Sequence, residues 1–364
     1  MLAGGVFDDA LAQQWPRLHE PQHILSPEFG EHGSNLQDPC QGASLANGPS
    51  KKRRNVHAGR ICLRRGQSRA CRRRPRRRGP RWHRYCFLGR REAASPLAAC
   101  DPENRVMKDE RIFRLDDQVA VVTGGAGGIG RAICEMFANV GARVACVDHD
   151  GDAAEACARA IREAGGHAIG MACDVSDEAQ TLKVAEDVRR ELGGPRVLIN
   201  GAAMLDRSGT ILDIDPREWE QVMKVNLTGV YLMSRAVLPA MIEAGGGSVV
   251  HIASMHARVG RGGRVSYTSA KGALLQLAKT MAIDHAAQGI RVNTLSPGAV
   301  ETRRITFRYG TLSPEARRQA ESKYLLDRFA DPSEIAAAAL FLASPASSYM
   351  TGADLLVDGG YCAV

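Results

Sequence analysis

From Met107 onward, hydrophobic and polar residues follow two alternating rhythms. Short apolar runs rich in β-branched and small residues end in glycine or polar turns. Between them lie longer stretches in which apolar residues return every three or four positions. The short runs predict strands over Val119–Thr123, Arg143–Asp148, His167–Met171, Val197–Gly201, Ser248–Ile252, Arg291–Ser296 and Asp354–Val357. The longer stretches predict helices, for example over Ile129–Asn139, Asp177–Leu192 and Pro216–Met241. Strands that regularly alternate with crossover helices pair in parallel, so the expected fold is α/β, a single doubly wound domain with a seven-stranded parallel sheet flanked by helices.

Residues 1–106 show neither rhythm. Charge separates the two parts further: the first 106 residues hold 20 Lys and Arg against 9 Asp and Glu, residues 107–364 hold 28 against 31, and the whole chain is formally +8. Between Lys51 and Arg91 there are 18 basic residues and no acidic one, including the run RACRRRPRRRGPRWHR. Such a stretch cannot bury enough apolar surface to offset chain entropy, so 1–106 is expected to be a disordered, Arg-rich segment. The same composition arises when GC-rich upstream DNA is read as protein, which makes Met107 a candidate start. The organised domain, 107–364, is mildly acidic, so nucleic acid is not an expected partner.

No stretch of 18 apolar residues suggests a membrane span, and the first residues lack the basic and apolar regions of a secretory signal. Five of the ten cysteines, Cys134, Cys146, Cys157, Cys173 and Cys362, lie in 107–364. None is part of a CxxC pair or a His/Cys cluster with zinc spacing, so no metal is expected and they read as small buried hydrophobes. A reducing, cytoplasmic setting suits them.

The first predicted strand runs into Thr123-Gly-Gly-Ala-Gly-Gly-Ile-Gly130, and a helical pattern follows at once. Gly124, Gly128, Ile129 and Gly130 thus form a tight turn that lets the backbone approach a pyrophosphate at a helix N-terminus. Asp148 ends the next strand 18 residues after Gly130. A carboxylate there accepts hydrogen bonds from the adenosine ribose hydroxyls of NAD and repels the extra phosphate of NADP, and no arginine flanks it. The cofactor expected is NAD.

Tyr267-Thr-Ser-Ala-Lys271 lies on a helical pattern, and an i, i+4 spacing puts phenol and ammonium on one face. A free tyrosine has a pKa near ~10, so acting as a base at neutral pH needs a shift of about 3 units, or ~4 kcal/mol. One positive charge at ~4 Å contributes about 4 kcal/mol at an effective dielectric of 20. A single lysine is therefore sufficient in magnitude.

Taken in order, TGGAGGIG at 123–130, Asp174-Val175, LINGAA at 198–203, Val225-Asn226, Ser254, Tyr267–Lys271, Pro297-Gly298 and VDGG at 357–360 resemble the short-chain dehydrogenase/reductase family, as does the 13-residue interval from Ser254 to Tyr267. The resemblance covers 107–364 and implies a Rossmann-type, NAD-dependent alcohol dehydrogenase or carbonyl reductase that interconverts a secondary alcohol and a ketone. It assigns Tyr267 as general acid/base, Lys271 as the group that lowers its pKa and binds the nicotinamide ribose, and Ser254 as the orienter of the substrate oxygen. Asn226 would serve the proton relay. Asp174 and Val175 would border adenine, Asn200, Gly201 and Ala202 would lie along the cofactor, and Val300 and Thr302 would hold its carboxamide and phosphate end. A homotetramer is the family's expected assembly.

This sequence departs from the family's usual NNAG at Gly201, which removes a side chain that braces the sheet centre. His256, two residues past Ser254, and Arg303 and Arg304 in the segment RRITFRYG are candidate contacts for a carboxylated or polyhydroxylated small-molecule substrate. Arg261 and Arg264 read as loop or subunit-contact charges. Alternatives are an NADPH-dependent 3-oxoacyl carrier-protein reductase and a non-catalytic cofactor sensor or scaffold.

Overall fold

The computed structural model describes residues 110–303, 305 and 313–364. The expectations for the segment 1–106 and for Arg304 lie outside the described residues. The seven strands are β1 (Val119–Thr123), β2 (Arg143–Asp148), β3 (His167–Ala172), β4 (Pro195–Asn200), β5 (Gly247–Ile252), β6 (Ile290–Pro297) and β7 (Asp354–Val357). They pair in parallel in the order β3-β2-β1-β4-β5-β6-β7. The chain winds outward from β1 in one direction and from β4 in the other. Their carboxyl ends, where Thr123 pairs with Asn200, therefore form the crevice in which such sheets bind ligands.

Helices α1 (Gly128–Asn139), α2 (Gly151–Glu163), α3 (Glu178–Glu191), α4 (Pro216–Met223), α5 (Gly229–Glu243), α6 (Val265–His285), α7 (Pro314–Glu321) and α8 (Pro332–Ala343) complete the described fold. Strand residues alternate between two faces. Ala120 and Val122 pack with Ile133 and Phe137 of α1, Ile161 of α2 and Ile335 of α8. Val119 and Val121 pack on the other side with Val184 of α3, Met233 and Val237 of α5 and Ala278 of α6. Both faces are covered, which is why the strands read as near-continuous apolar runs rather than as alternating ones.

The predicted helix 216–241 is interrupted. Lys224–Thr228 forms a π turn between α4 and α5, and Asn226 lies buried within it. The extra residue of a π turn shifts the side chains relative to an unbroken helix, and Asn226 holds both backbone groups of Met204: its Oδ1 accepts from Met204 N at 2.7 Å and its Nδ2 donates to Met204 O at 2.8 Å. By length and mean hydropathy Pro216–Glu243 would pass for a bilayer-crossing helix, though it holds no unbroken run of 18 apolar residues; here Val230, Met233, Val237, Leu238 and Met241 bury its apolar side in the fold.

Candidate active site

The glycine turn is closed by contact rather than by composition. Gly124 has φ +70°, and a Cβ there would lie 2.9 Å from the backbone of Gly201 and Ala202. At Gly130 a Cβ would come within 2.0 Å of the Gly124 carbonyl oxygen, so α1 starts directly against the turn. Helices α2, α3, α4, α7 and α8 are capped by the side chains of Asp150, Asp177, Asp215, Ser313 and Asp331. Helix α1, with Gly127 as its N-cap, has no side-chain cap and no acid in its first turn. Its first N–H groups and the positive end of its dipole suit an anionic ligand, so these residues fit a dinucleotide pyrophosphate.

Asp148 and Thr302 converge on this turn. Asp148 is buried and its Oδ2 accepts from Ala126 N at 3.0 Å, while Oδ1 lies 2.7 Å from Nδ1 of the exposed His149. The Thr302 methyl packs against Gly128, where a Cβ would meet it at 2.6 Å. Val300 bridges to Ala330. Across the crevice, Gly201 N and Ala202 N donate to Thr123 Oγ1 at 3.0 and 3.3 Å. Thr123 thus holds the backbone of Gly201 and Ala202 in place. A Cβ at Gly201 would also sit 2.7 Å from the Thr123 carbonyl, so no larger residue fits this geometry. Val175 packs on Gly229 at the start of α5, and Asp174 Oδ1 accepts from Ser176 N at 2.9 Å.

Tyr267 and Lys271 lie on the first turns of α6 with the expected shared face. The Lys271 ammonium is buried, donates to Ile252 O at 2.6 Å and lies 5.9 Å from the centroid of the Tyr267 ring. Ile252 ends β5, and Ser254 follows two residues later in an extended conformation, its Oγ accepting from His256 N at 3.2 Å. Both the turn after Ser254 and the π turn that carries Asn226 pack against α6. Ser254, Asn226 and the Tyr267–Lys271 face are thus carried by three elements that pack together. His256 is buried beside them, its ring edge-on to Tyr361 at 5.9 Å and its Nε2 3.3 Å from Arg261 Nη1. Arg303 is exposed.

Three further groups at the site were not assigned from the sequence, although one of them, Thr123, opens the glycine motif. Asp206, its side chain wholly buried, accepts from Tyr267 N through Oδ2 at 3.0 Å and from Arg264 Nη1 through Oδ1 at 3.1 Å. Arg264 also donates to the Asp206 carbonyl, so it is half of an intramolecular buried pair rather than a loop or subunit-contact charge. His251 lies behind the site, with Asn200 Nδ2 3.1 Å from its Nδ1; burial, then the Lys271 charge, push its imidazole down to about 3, which keeps it neutral. Thr123 is the third. No periodicity or motif marks Asp206 or His251, because their partners lie far away in sequence. A recess of about 310 Å³ between β3 and α3, lined by residues such as Gln180, Lys183 and Asp187, contains none of these groups.

The family model described as enoyl-(acyl carrier protein) reductase, of the short-chain alcohol dehydrogenase type, matches residues 124–362. D-threitol dehydrogenase of Mycolicibacterium smegmatis is 41% identical over 251 residues, covering 68% of this chain and 94% of that protein. Galactitol 2-dehydrogenase (L-tagatose-forming) of Cereibacter sphaeroides is 41% identical over 258 residues, covering 69% and 97%. A 7α-hydroxysteroid dehydrogenase solved with NADH and 7-oxo glycochenodeoxycholic acid superposes with a TM-score of 0.66 at 33% identity, covering 70% of this chain and 98% of that one. Solved neighbours of this likeness hold NADP in one case and NADH in another.

Proposed function

This chain belongs to the short-chain dehydrogenase/reductase family, and from that premise we propose that it uses NAD to oxidise a secondary hydroxyl of a small polyol to a ketone. It is an enzyme of the alcohol dehydrogenase type, on a Rossmann fold that takes NAD or NADP. The observation that carries the reading is the buried Lys271 ammonium beneath the Tyr267 ring, anchored to the last carbonyl of β5. Bound NAD supplies the hydride acceptor. Tyr267 takes the hydroxyl proton at its phenolic oxygen, and Lys271 favours the phenolate by its charge. Ser254 donates to the substrate oxygen and orients it. Asn226, locked to Met204 by two hydrogen bonds, fixes the π turn beside α6 from which a proton relay leaves Lys271.

The dinucleotide would lie on Gly124, Gly128, Ile129 and Gly130, cross Asn200, Gly201 and Ala202, and reach Asp174, Val175, Val300 and Thr302 at its flanks. Asp148 supports NAD over NADP: its carboxylate stands at the mouth of the glycine turn, where a ribose 2′-phosphate would meet like charge. An NAD pool kept oxidised then favours alcohol oxidation. A polyol substrate draws support from the threitol and galactitol enzymes and from His256 and Arg261 beside the site, with the exposed Arg303 as a further candidate contact. The catalytic unit in this reading is 107–364. Exposed Trp219, Tyr231 and Ile283 on α4, α5 and α6 support a homotetramer, and the free thiols suit the cytoplasm.

The test is formation of NADH or NADPH by the full chain with D-threitol, galactitol and further four- to six-carbon polyols, offered NAD and NADP respectively. Turnover with NAD on a polyol supports the reading. Activity confined to NADPH and a 3-oxoacyl or enoyl thioester would replace it with the carrier-protein reductase that the description of the matching family model brings into view.

A further inference from the structure

Cys134 on α1, Cys146 on β2 and Cys157 on α2 are separated by 12 and 11 residues in sequence, a spacing that signals no site. The fold brings them together: all three Sγ atoms lie within 4.8 Å of one another, and all three residues are buried. The trio sits in the apolar layer with Phe137, Val144, Ala158 and Ile161. Among the described residues no fourth His, Cys, Asp or Glu ligand joins it.

That combination selects a ligand. A tetrahedral zinc ion would lack a fourth donor. A cuprous ion on three thiolates would leave net negative charge in an apolar layer, which is costly without partners. A trivalent arsenical is three-coordinate and binds three sulfurs as a neutral centre. We infer that Cys134, Cys146 and Cys157 form a capture site for trivalent arsenicals. Arsenous acid loses its three hydroxyls and the three thiols lose their protons; three As–S bonds form, three water molecules leave, and nothing is oxidised or reduced. Burial pushes the Cys134 thiol up, whereas hydrogen bonds from Cys134 and Cys146 pull Cys157 down to about 3; where Cys157 reacts as the thiolate, a proton from solvent completes the third water.

The position of the trio gives capture a consequence. The Cys134 thiol points at the carbonyl of Gly125, 3.9 Å away, and Cys146 lies two residues before Asp148. Drawing the three sulfurs onto one centre would displace α1 against the glycine turn and weaken dinucleotide binding. This consequence rests on the cofactor reading above; the capture itself does not.

The experiment treats the reduced full chain with equimolar sodium arsenite in native buffer. The expected result is one arsenic per chain in place of three hydrogens by intact mass, three sulfurs in the arsenic X-ray absorption spectrum, and a digest in which arsenic joins the peptides of Cys134, Cys146 and Cys157. Cys157→Ala should lose the three-sulfur signature, whereas Cys173→Ala and Cys362→Ala keep it. Arsenic on any of the other seven cysteines, two-sulfur coordination, or no adduct would overturn the inference. Stoichiometry, coordination and location are all read on the unsubstituted protein, so the inference stands or falls there even where a variant misfolds. Capture with unchanged NAD affinity would overturn the consequence for the glycine turn alone.

Discussion

Replacing Asp206 with alanine removes two contacts at the start of the helix that carries Tyr267. One is the acceptor for Tyr267 N; the other is the charge partner of Arg264. The Asp206 side chain is fully buried and that of Arg264 is 11% exposed. Solvent screens such a pair weakly, and removing one partner strands the other charge, at a cost of about 3–5 kcal/mol. Loss of a helix N-terminal acceptor costs about 1 kcal/mol more. The bond from Arg264 to the Asp206 carbonyl survives and offsets part of this, so the expected destabilisation is about 3–4 kcal/mol. Removing Arg264 as well relieves the stranded charge. The pair Asp206→Ala and Arg264→Ala should therefore be less harmful together than the sum of the two, by about 1.5 kcal/mol or more. Urea unfolding of the four proteins, with midpoints compared at a common slope, measures the cycle. Additivity within about 0.5 kcal/mol would refute the claim that these groups act as one unit.

Two other outcomes follow from the same geometry. His251 titrates near 6.5 when unfolded and is pushed down to about 3 by burial and Lys271. Between those values the unfolded chain binds the extra proton, so stability is held above pH 6.5 and lost as the pH falls. Between pH 6.5 and 5, above the range of ordinary carboxylates, the loss should be about 2 kcal/mol. Urea unfolding of His251→Asn should show a flatter profile over that window, and an unchanged slope would remove His251 as the cause. Asp148→Ser should move the ratio of kcat/KM for NAD over NADP toward NADP by about tenfold or more, equivalent to ~1.4 kcal/mol; steady-state kinetics with both cofactors decide, and an unmoved ratio would show that another group selects the cofactor.

What the sequence disclosed and what it hid divide along the range of the interactions. The strands were legible because a sheet covered on both faces demands apolar runs, and their parallel pairing followed from the crossovers. The glycine turn, Asp148 and the Tyr267–Lys271 face were legible because each is local, set by a turn or by helix period. Strand ends moved by a residue or two: β4 stops at Asn200 because Gly201 turns its N–H toward Thr123 rather than along the strand. The π turn was hidden, since the apolar period runs on through Lys224–Thr228 and only the contact of Asn226 with Met204 shows the shift. Asp206 and the three clustered sulfurs were hidden for a related reason. Each depends on partners brought close by tertiary packing, and single-chain spacing carries no trace of them. Gly201 illustrates the remaining case: its departure from the family pattern was visible, but the backbone hydrogen bonds that tie it to Thr123 needed the fold.

Tyr267, held over Lys271, is the group proposed to exchange the proton, and everything else in the mechanism depends on it. Its most direct test is Tyr267→Phe, which keeps the ring over the ammonium and deletes only the hydroxyl. The kcat on the best polyol should fall by about 10²–10⁴-fold while the Kd for NAD, read by calorimetry, stays within about twofold. A variant that binds NAD normally and still turns over at the unsubstituted rate would contradict that role.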